Sequence, residues 1–213
     1  MRHGAPPGVG EPAAAAPTAA GSYRIDASRS ELKILVYRAG PLARFGHNHV
    51  MVNRAISGSV EWREESLKSW RLVVPAAGFI VDDPQARREE GDEFAGEIPD
   101  DARIQTLHNM LSAAVLDADA YPAVTVRSVV GSARQGAAPA GAWNATVAIS
   151  IAGHESVIDV PLTLASDPDR LSASGSMELR QSALGLKPFS LMLGALQVQD
   201  ALTIKFRIVA RRN

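Results

Sequence analysis

Apolar residues recur at every second position along several stretches of this chain, and this period limits the possible folds more than any other feature. Near the C-terminus, Leu202, Ile204, Phe206 and Ile208 alternate with polar or charged residues. Successive side chains of a β-strand point to opposite faces, so such a stretch has one apolar and one polar face. The pattern predicts antiparallel strands with one face packed inward. It recurs in four other stretches: residues 32–36, 124–130, 145–151 and 158–164.

Turn-forming residues separate these stretches and complete an all-β pattern. Gly40–Pro41, Gly153 and the run 166–169 (Ser-Asp-Pro-Asp) lie between apolar stretches, where a chain reverses direction. With further candidates at 49–62, 69–81 and 171–181, the chain holds about eight strands, enough for a sandwich or a closed barrel. Closure would remove the exposed edges that a flat sheet leaves unpaired.

One segment has a helical period instead. Ile104, Leu107, Leu111 and Val115 fall on one face of a helix, and Pro99 precedes two acids at its start. We predict a single amphipathic α-helix over about residues 100–116, lying across a barrel mouth or on the outside. The acidic stretch before it, residues 82–103, is predicted to be a solvated excursion because its spacing does not fit a calcium loop.

Composition excludes several classes of function. The chain has no cysteine, a formal net charge of −1 and only 5% aromatic residues. It therefore forms no disulfide, thiolate metal site or cysteine nucleophile, and no nucleic-acid partner is predicted. No apolar run approaches the ~18 residues of a membrane span. Serine-hydrolase, phosphate-binding and dinucleotide-binding motifs are also missing from the sequence, so no enzyme is predicted.

The N-terminal segment differs from the rest of the chain. Ala, Gly and Pro fill 15 of the positions 1–22. Such a composition buries too little surface to offset its chain entropy, so we predict a disordered tail over 1–22 and one domain over 23–213. The segment has no apolar core of a signal peptide, although its alanines resemble the end of an exported leader. An exported chain and a plain flexible tail both remain open.

The order of these elements, and several phrases within them, resemble the YceI-like family of lipocalin-type barrels. The resemblance covers nearly all of residues 23–211. The matching stretches are residues 23–26, 28–36, 46–58, 102–116, 116–126, 151–157, 175–188 and 198–204.

The resemblance implies a fold and a function. The fold would be all-β, an eight-stranded antiparallel lipocalin-like barrel around a long apolar cavity. The function would be non-enzymatic binding or carriage of a polyisoprenoid or an isoprenoid quinone, without any other cofactor. It also implies a periplasmic or secreted location, with a cytoplasmic one as the alternative, and leaves a homodimer and a stress-related role open.

The inward side chains of the clearest strands are the expected ligand contacts. An eight-stranded barrel is just wide enough to be filled by its own side chains or to hold one slender ligand, and the sequence does not distinguish these cases. If the barrel is filled, these residues are ordinary core and the protein is an interaction module. The candidates are Ile34, Val36, Val126, Ile149, Ile158, Val160, Ile204 and Phe206.

A pair of histidines supports a competing hypothesis. His47 and His49 are two positions apart, so on a strand they share a face. We expect them to form hydrogen bonds at the barrel rim or to contact a ligand head group. The alternative is a metal- or haem-associated redox or stress accessory protein. In it the pair, with His154, Asp26 or Glu155, would hold zinc, copper or iron.

Overall fold

The computed structural model describes residues 20–63, 66–135 and 141–213. This part of the chain forms twelve strands, two α-helices and several short 3₁₀ turns. The helices are α1 (Pro84–Glu89) and α2 (Asp100–Leu111). The strands are β1 (Gly21–Ile25), β2 (Glu31–Ala39), β3 (His49–Asn53), β4 (Ser57–Arg63), β5 (Ser66–Pro75), β6 (Phe79–Val81), β7 (Ala123–Gln135), β8 (Ala142–Ile151), β9 (His154–Asp167), β10 (Arg170–Arg180), β11 (Ser190–Leu191) and β12 (Leu196–Arg212).

The sheet closes on itself. Neighbouring strands follow the order β1, β4, β5, β7, β8, β9, β10 and β12, and β12 pairs again with β1. Every one of these pairs is antiparallel. The predicted eight-stranded antiparallel, lipocalin-like barrel is therefore confirmed, and closure satisfies the backbone groups that an open edge would expose.

We call the eight positions around the barrel its walls. In three of them, two shorter strands take the place of one long strand. β1 and β2 lie along the same edge of β12, at 210–212 and 197–207 respectively. β3 and β4 share the next wall, where β3 pairs with β2 and β4 pairs with β1. β6 and β5 share the wall after it, where β6 pairs with β3 and β5 pairs with β4. Asn53, which is fully buried, joins two of the breaks: its Nδ2 donates to the Pro75 carbonyl and its Oδ1 accepts from the Ala55 amide.

The first strand starts earlier than the predicted domain boundary. Gly21 and Ser22 pair with Trp62 and Glu61 of β4, so these two residues of the predicted tail belong to the barrel. Pairing across the sheet, which composition does not reveal, sets this boundary. The rest of the predicted tail, residues 1–19, lies outside the described residues.

The acidic stretch covers the outside of the barrel, and its prediction as a solvated excursion is wrong. Ala86 of α1 and Phe94 are buried against Leu35, Val50 and Val52, which point outward from β2 and β3. Both strands therefore carry apolar residues on the outward face as well as on the inward face. An outward-facing apolar row requires a cover, and the segment between β6 and α2 provides it.

Buried charges fasten this cover to the barrel. The Asp82 carboxylate accepts hydrogen bonds from the Val50 amide at 2.9 Å and the Arg87 guanidinium at 2.6 Å, and it lies 2.7 Å from Nδ1 of His49. Arg87 also donates to the Asn48 carbonyl. Burial alone would raise the pKa of Asp82, but these partners hold it below its usual value. The pairing makes the burial of both charges tolerable.

A second ionic cluster lies on the same cover. Lys33 points outward from β2 and donates to Glu89 and Glu90, each at 3.0 Å. Lys205 of β12 donates to Glu90 as well. The end of α1 is thereby joined to two neighbouring strands.

The helix α2 is shorter than predicted. It ends at Leu111 because Ser112 takes an extended conformation, and the chain then turns through residues 112–116. Its amphipathic character is also weaker than predicted, since Ile104 is 69% exposed and no residue of α2 is fully buried. Leu107 and Met110 pack against the interior cluster of the barrel. Among the described residues, no helix is long and apolar enough to cross a membrane.

Candidate functional site

A continuous apolar cavity of about 180 Å³ lies inside the barrel. All eight walls contribute to it, for example Leu32 of β2, Val60 of β4, Trp70 of β5 and Met177 of β10. All of its lining residues are aliphatic or aromatic, or methionine. A site of this chemistry attracts ligands by the hydrophobic effect and by dispersion, without charged contacts.

The structure places most of the predicted contact residues at this cavity. Six of the eight candidates line it: Val126, Ile149, Ile158, Val160, Ile204 and Phe206. Ile34 and Val36 also face inward, but they pack against an interior cluster that includes Met51, Phe79 and Val81 and are not among the lining residues. A ligand-binding role for all eight stays a prediction.

Three walls of the cavity carry none of these eight predicted contact residues: the wall of β4, which contributes Val60, and those of β5 and β10. Trp70, Leu72 and Val74 of β5 line the cavity, as do Ala173 and Met177 of β10. Their signal is the same alternation. It is weaker on β10 because the inward positions include alanine and glycine, which score poorly as apolar residues.

Gly175 of β10 shapes the cavity wall. It lies directly opposite Phe206 of β12 in the register of the two strands. A Cβ atom at this glycine would lie 2.6 Å from Cζ of Phe206 and 2.8 Å from the Pro161 carbonyl oxygen. The missing side chain therefore lets the Phe206 ring lie across β10 and form part of the wall.

The size of the cavity suits a slender apolar group. An engineered apolar cavity of about 150 Å³ stays dry and binds benzene, whereas typical ligand pockets reach ~300–1,000 Å³. A volume of about 180 Å³ thus accommodates a short piece of hydrocarbon. A longer chain would have to push the lining side chains apart.

Two indole groups, those of Trp62 and Trp70, belong to the interior cluster of the barrel. Nε1 of Trp62 and Nε1 of Trp70 are buried and have no hydrogen-bond partner among the described residues. Trp70 lines the cavity. A buried donor without a partner is unfavourable, so a ligand oxygen within reach of the Trp70 indole would relieve that penalty.

The two histidines lie at the barrel rim. His49 is opposite Val36 and is engaged at Nδ1 by Asp82, while His47 is exposed, with its ring centroid 6.3 Å from that of His49. Although His47 is exposed, the protein atoms beside its ring displace some of the water around it, and this desolvation lowers its pKa; the nearby His49 and Arg87 act in the same direction.

The other residues of the metal hypothesis lie elsewhere. His154 faces Gly185, Glu155 pairs with Arg127, and Asp26 pairs with Arg211. The described residues contain no group of three metal-binding side chains.

The sequence profile of the YceI-like domain matches residues 23–210. The chain belongs to the YceI-like family. No relative with a curated description matches it by sequence.

Several solved structures resemble this chain in fold despite low sequence identity. BcnA of Burkholderia cenocepacia is 17% identical, with a TM-score of 0.61 over 87% of this chain and 98% of BcnA. A polyisoprenoid binding domain from Saccharophagus degradans, implicated in plant cell wall breakdown, is 12% identical, with a TM-score of 0.59 over 90% of this chain and 98% of that domain. The YceI protein of Campylobacter jejuni is 11% identical, with a TM-score of 0.51 over 76% and 84% of the two chains.

Proposed function

We propose that this protein binds and carries an apolar isoprenoid-type lipid, a polyisoprenoid or an isoprenoid quinone, inside its barrel. The observation that carries the proposal is the continuous apolar cavity with no charged residue in its lining. Burial of apolar surface contributes about 25 cal/mol per Å², so a hydrocarbon tail binds there without a charged contact. Membership of the YceI-like family and the resemblance to a polyisoprenoid binding domain support the isoprenoid class.

We propose binding without catalysis for a chemical reason. The described residues that line the cavity offer no nucleophile, no general acid or base, and no imidazole, carboxylate or thiolate that could bind a metal. A lipid held there would meet only hydrocarbon walls and the indole of Trp70. The protein would therefore protect or transport its ligand unchanged.

Mass spectrometry of the freshly purified protein under native conditions tests the proposal. We expect a fraction of the molecules to carry an isoprenoid-type mass, recoverable by solvent extraction. The variant Ala173→Leu fills part of the cavity and should lower that fraction. Ser174→Leu is the matched control, because it adds the same side chain on the exposed face of the same strand. A barrel that carries no lipid and takes up neither polyprenol nor quinone would contradict the proposal.

Trp70 provides a direct optical readout and separates the two ligand classes. Because its indole lines the cavity, its fluorescence should change when a ligand enters. Trp70→Phe removes the N–H donor while keeping an aromatic ring. If a quinone oxygen accepts that bond, this variant should bind the quinone about tenfold more weakly and a plain hydrocarbon chain equally well. Equal losses for both ligands would show that only the shape of the ring matters.

We also propose, from family membership, that the protein acts in the periplasm. Fractionation of cells that express it from its natural gene tests this location. Recovery with the cytoplasmic fraction would contradict it.

A further inference from the structure

Two loops pack against each other at one end of the barrel. The first joins β2 to β3 (residues 40–48), and the second runs from Leu186 to β12 (residues 186–195). The Leu42 amide donates to the Ala195 carbonyl at 2.8 Å. A Cβ on Gly40 would lie within 2.8 Å of the Ala195 and Gly194 carbonyl oxygens, so the two backbones touch. We call these residues the paired loops.

The paired loops expose large apolar side chains. Phe45 is 65% exposed, Leu191 is 47% exposed, and Leu193 is fully exposed. Single exposed apolar residues are common on protein surfaces, but three on two touching loops form a cluster. Leu193 also has φ 57° and ψ 35°, a left-handed conformation that leucine disfavours. Because its side chain is fully exposed, packing in the core does not explain why a leucine occupies this unfavourable conformation.

The charge of this end is basic. Residues 38–49 contain two arginines and no acid, and residues 185–199 contain one lysine and no acid, in a chain whose formal net charge is −1. Arg38, Arg44 and Lys187 are all exposed. The Arg44 guanidinium lies 4.6 Å from the centroid of the Phe45 ring, so a cation and an apolar group project together.

Acidic residues lie beside the paired loops on the flank of the barrel. The Asn48 side chain donates to the Glu93 carbonyl, which places the acidic stretch behind the β2–β3 loop. Asp200 lies at the base of the other loop and pairs with Ser182. The paired loops themselves therefore carry basic residues and no acid, together with the exposed apolar side chains.

We propose that the paired loops dock the barrel on an anionic lipid bilayer. Phe45 and Leu193 would enter the interface at the level of the acyl chains, and Arg44 and Lys187 would meet the head-group phosphates. Apolar groups beside cations are the combination by which peripheral proteins bind anionic bilayers. Zwitterionic surfaces would retain only the apolar part of this attraction.

The docking surface is connected to the cavity. Leu184, just before the second loop, and Leu186, at its start, are buried in a cluster with Val147 and Ile149. Val147 and Ile149 also line the cavity. Docking here would bring the end of the barrel to the bilayer. This step rests on the proposed function, since an apolar ligand could then pass between bilayer and barrel without crossing water.

Co-sedimentation with vesicles tests the docking. We expect the full chain to bind vesicles of equimolar phosphatidylcholine and phosphatidylglycerol, more strongly than vesicles of phosphatidylcholine alone, and to release them at high salt. Phe45→Ser with Leu193→Asn should weaken binding at least about tenfold, because both side chains leave the interface. Asparagine tolerates the left-handed conformation at position 193, so this variant should fold.

Charge variants and a matched control complete the test. Arg44→Gln and Lys187→Gln should each weaken binding to the anionic vesicles about fivefold and leave binding to phosphatidylcholine almost unchanged. Val157→Ser removes an apolar side chain that is 61% exposed on the barrel wall and should bind like the natural protein. Absence of binding to anionic vesicles, or an equal loss in Val157→Ser, would overturn the proposal.

The docking and the lipid cargo can fail separately. The cavity-filled variant Ala173→Leu should still dock while carrying less lipid. A protein that carries lipid but ignores vesicles would refute docking alone, and one that docks with an empty barrel would refute the cargo alone. If Phe45→Ser with Leu193→Asn instead dissolves a dimer in sedimentation velocity, the occupant is a second copy of this chain and bilayer docking is wrong.

Discussion

At the scale of single residues, Gly175 gives the sharpest prediction. Replacing it with alanine places a methyl group against the Phe206 ring and the Pro161 carbonyl oxygen. We expect Gly175→Ala to lower the free energy of unfolding by about 1–3 kcal/mol, the usual effect of overpacking. Denaturant unfolding followed by circular dichroism measures it.

A control and a compensating variant make this prediction specific. A Cβ on Gly96 would meet nothing within 4 Å, so Gly96→Ala should be close to neutral. Adding Phe206→Leu to Gly175→Ala removes one of the two clashes and should recover part of the lost stability. If the effects of the two substitutions on the free energy of unfolding simply add, the predicted clash between residue 175 and the Phe206 ring is wrong.

The sequence predicts inward residues well where a strand alternates large aliphatic side chains with polar ones. Ile158 and Val160 of β9 are of this kind, and both line the cavity. Asn53 and Asp82 are different, because their importance comes from partners distant in sequence and from breaks in the strands. Period-two reasoning treats a polar residue as exposed, and both of these residues are buried.

At the scale of elements, the outer cover depends on the Asp82 carboxylate. Asp82→Asn removes the charge that balances the buried Arg87, so we expect a loss of about 3–5 kcal/mol in the free energy of unfolding. Asp92→Asn, on an exposed position of the same segment, is the matched control. Urea unfolding of the two variants measures the difference, and equal midpoints would contradict a structural role for the pair.

The same carboxylates predict how stability depends on pH. The pKa values of Asp82 and Glu90 are both lower in the folded chain than normal. Burial acts to raise each, but it is outweighed by hydrogen bonds to Asp82 from His49, the Val50 amide and Arg87, and to Glu90 from Lys205 and Lys33. The contribution of the two carboxylates is fully present above their ordinary pKa values. It is lost as the pH falls below ~4 and through the folded values. Thermal unfolding over this range should show the loss, and Asp82→Asn should flatten it.

The helix α2 shows why the end of an element is hard to predict. Its start was well marked by Pro99 and the acids at 100 and 101, and the structure begins it at Asp100. The apolar period predicts an end that is too late, because Val115 continues this period in a segment where the backbone turns instead. A turn that is held by backbone bonds, such as that from the Asp117 amide to the Ser112 carbonyl, leaves no mark on the pattern of side chains.

Only one edge of α2 should contribute to stability. Leu107 packs against the barrel interior, whereas Ile104 on the same helix is 69% exposed. We therefore expect Leu107→Ala to lower the free energy of unfolding by about 1–2 kcal/mol and to speed proteolysis between β6 and β7, and Ile104→Ala to change neither. Limited proteolysis with mass mapping of the cuts measures the second effect. Similar rates for the two variants would show that α2 is not held by this contact.

At the scale of the whole molecule, closure of the barrel and its internal cavity have opposite effects on the stability of the fold. The pairing of β1 with β12 closes the sheet into a ring, and three of its eight walls each consist of two shorter strands. A closed wall excludes water from the interior, and side chains that border a cavity have fewer packing contacts than those of a filled core. The lipid proposed above would add such contacts and so stabilise the folded chain, in addition to its role as cargo.

If the barrel carries the proposed lipid, removing this lipid should destabilise the protein. Binding to the folded state alone contributes about 2.7 kcal/mol when the free ligand is at 100 times its Kd, and each kcal/mol shifts the Tm of a chain of this length by about 2–4 °C. We expect solvent-extracted, refolded protein to unfold about 5–10 °C below the natural form, and added ligand to restore the difference. Ala173→Leu, whose own side chain occupies part of the cavity, should show a smaller difference, whereas Ser174→Leu should behave like the natural protein. Differential scanning calorimetry measures the natural protein and both variants before and after extraction, and equal Tm values with and without extractable lipid would mean that the barrel is stable as a filled core and needs no ligand.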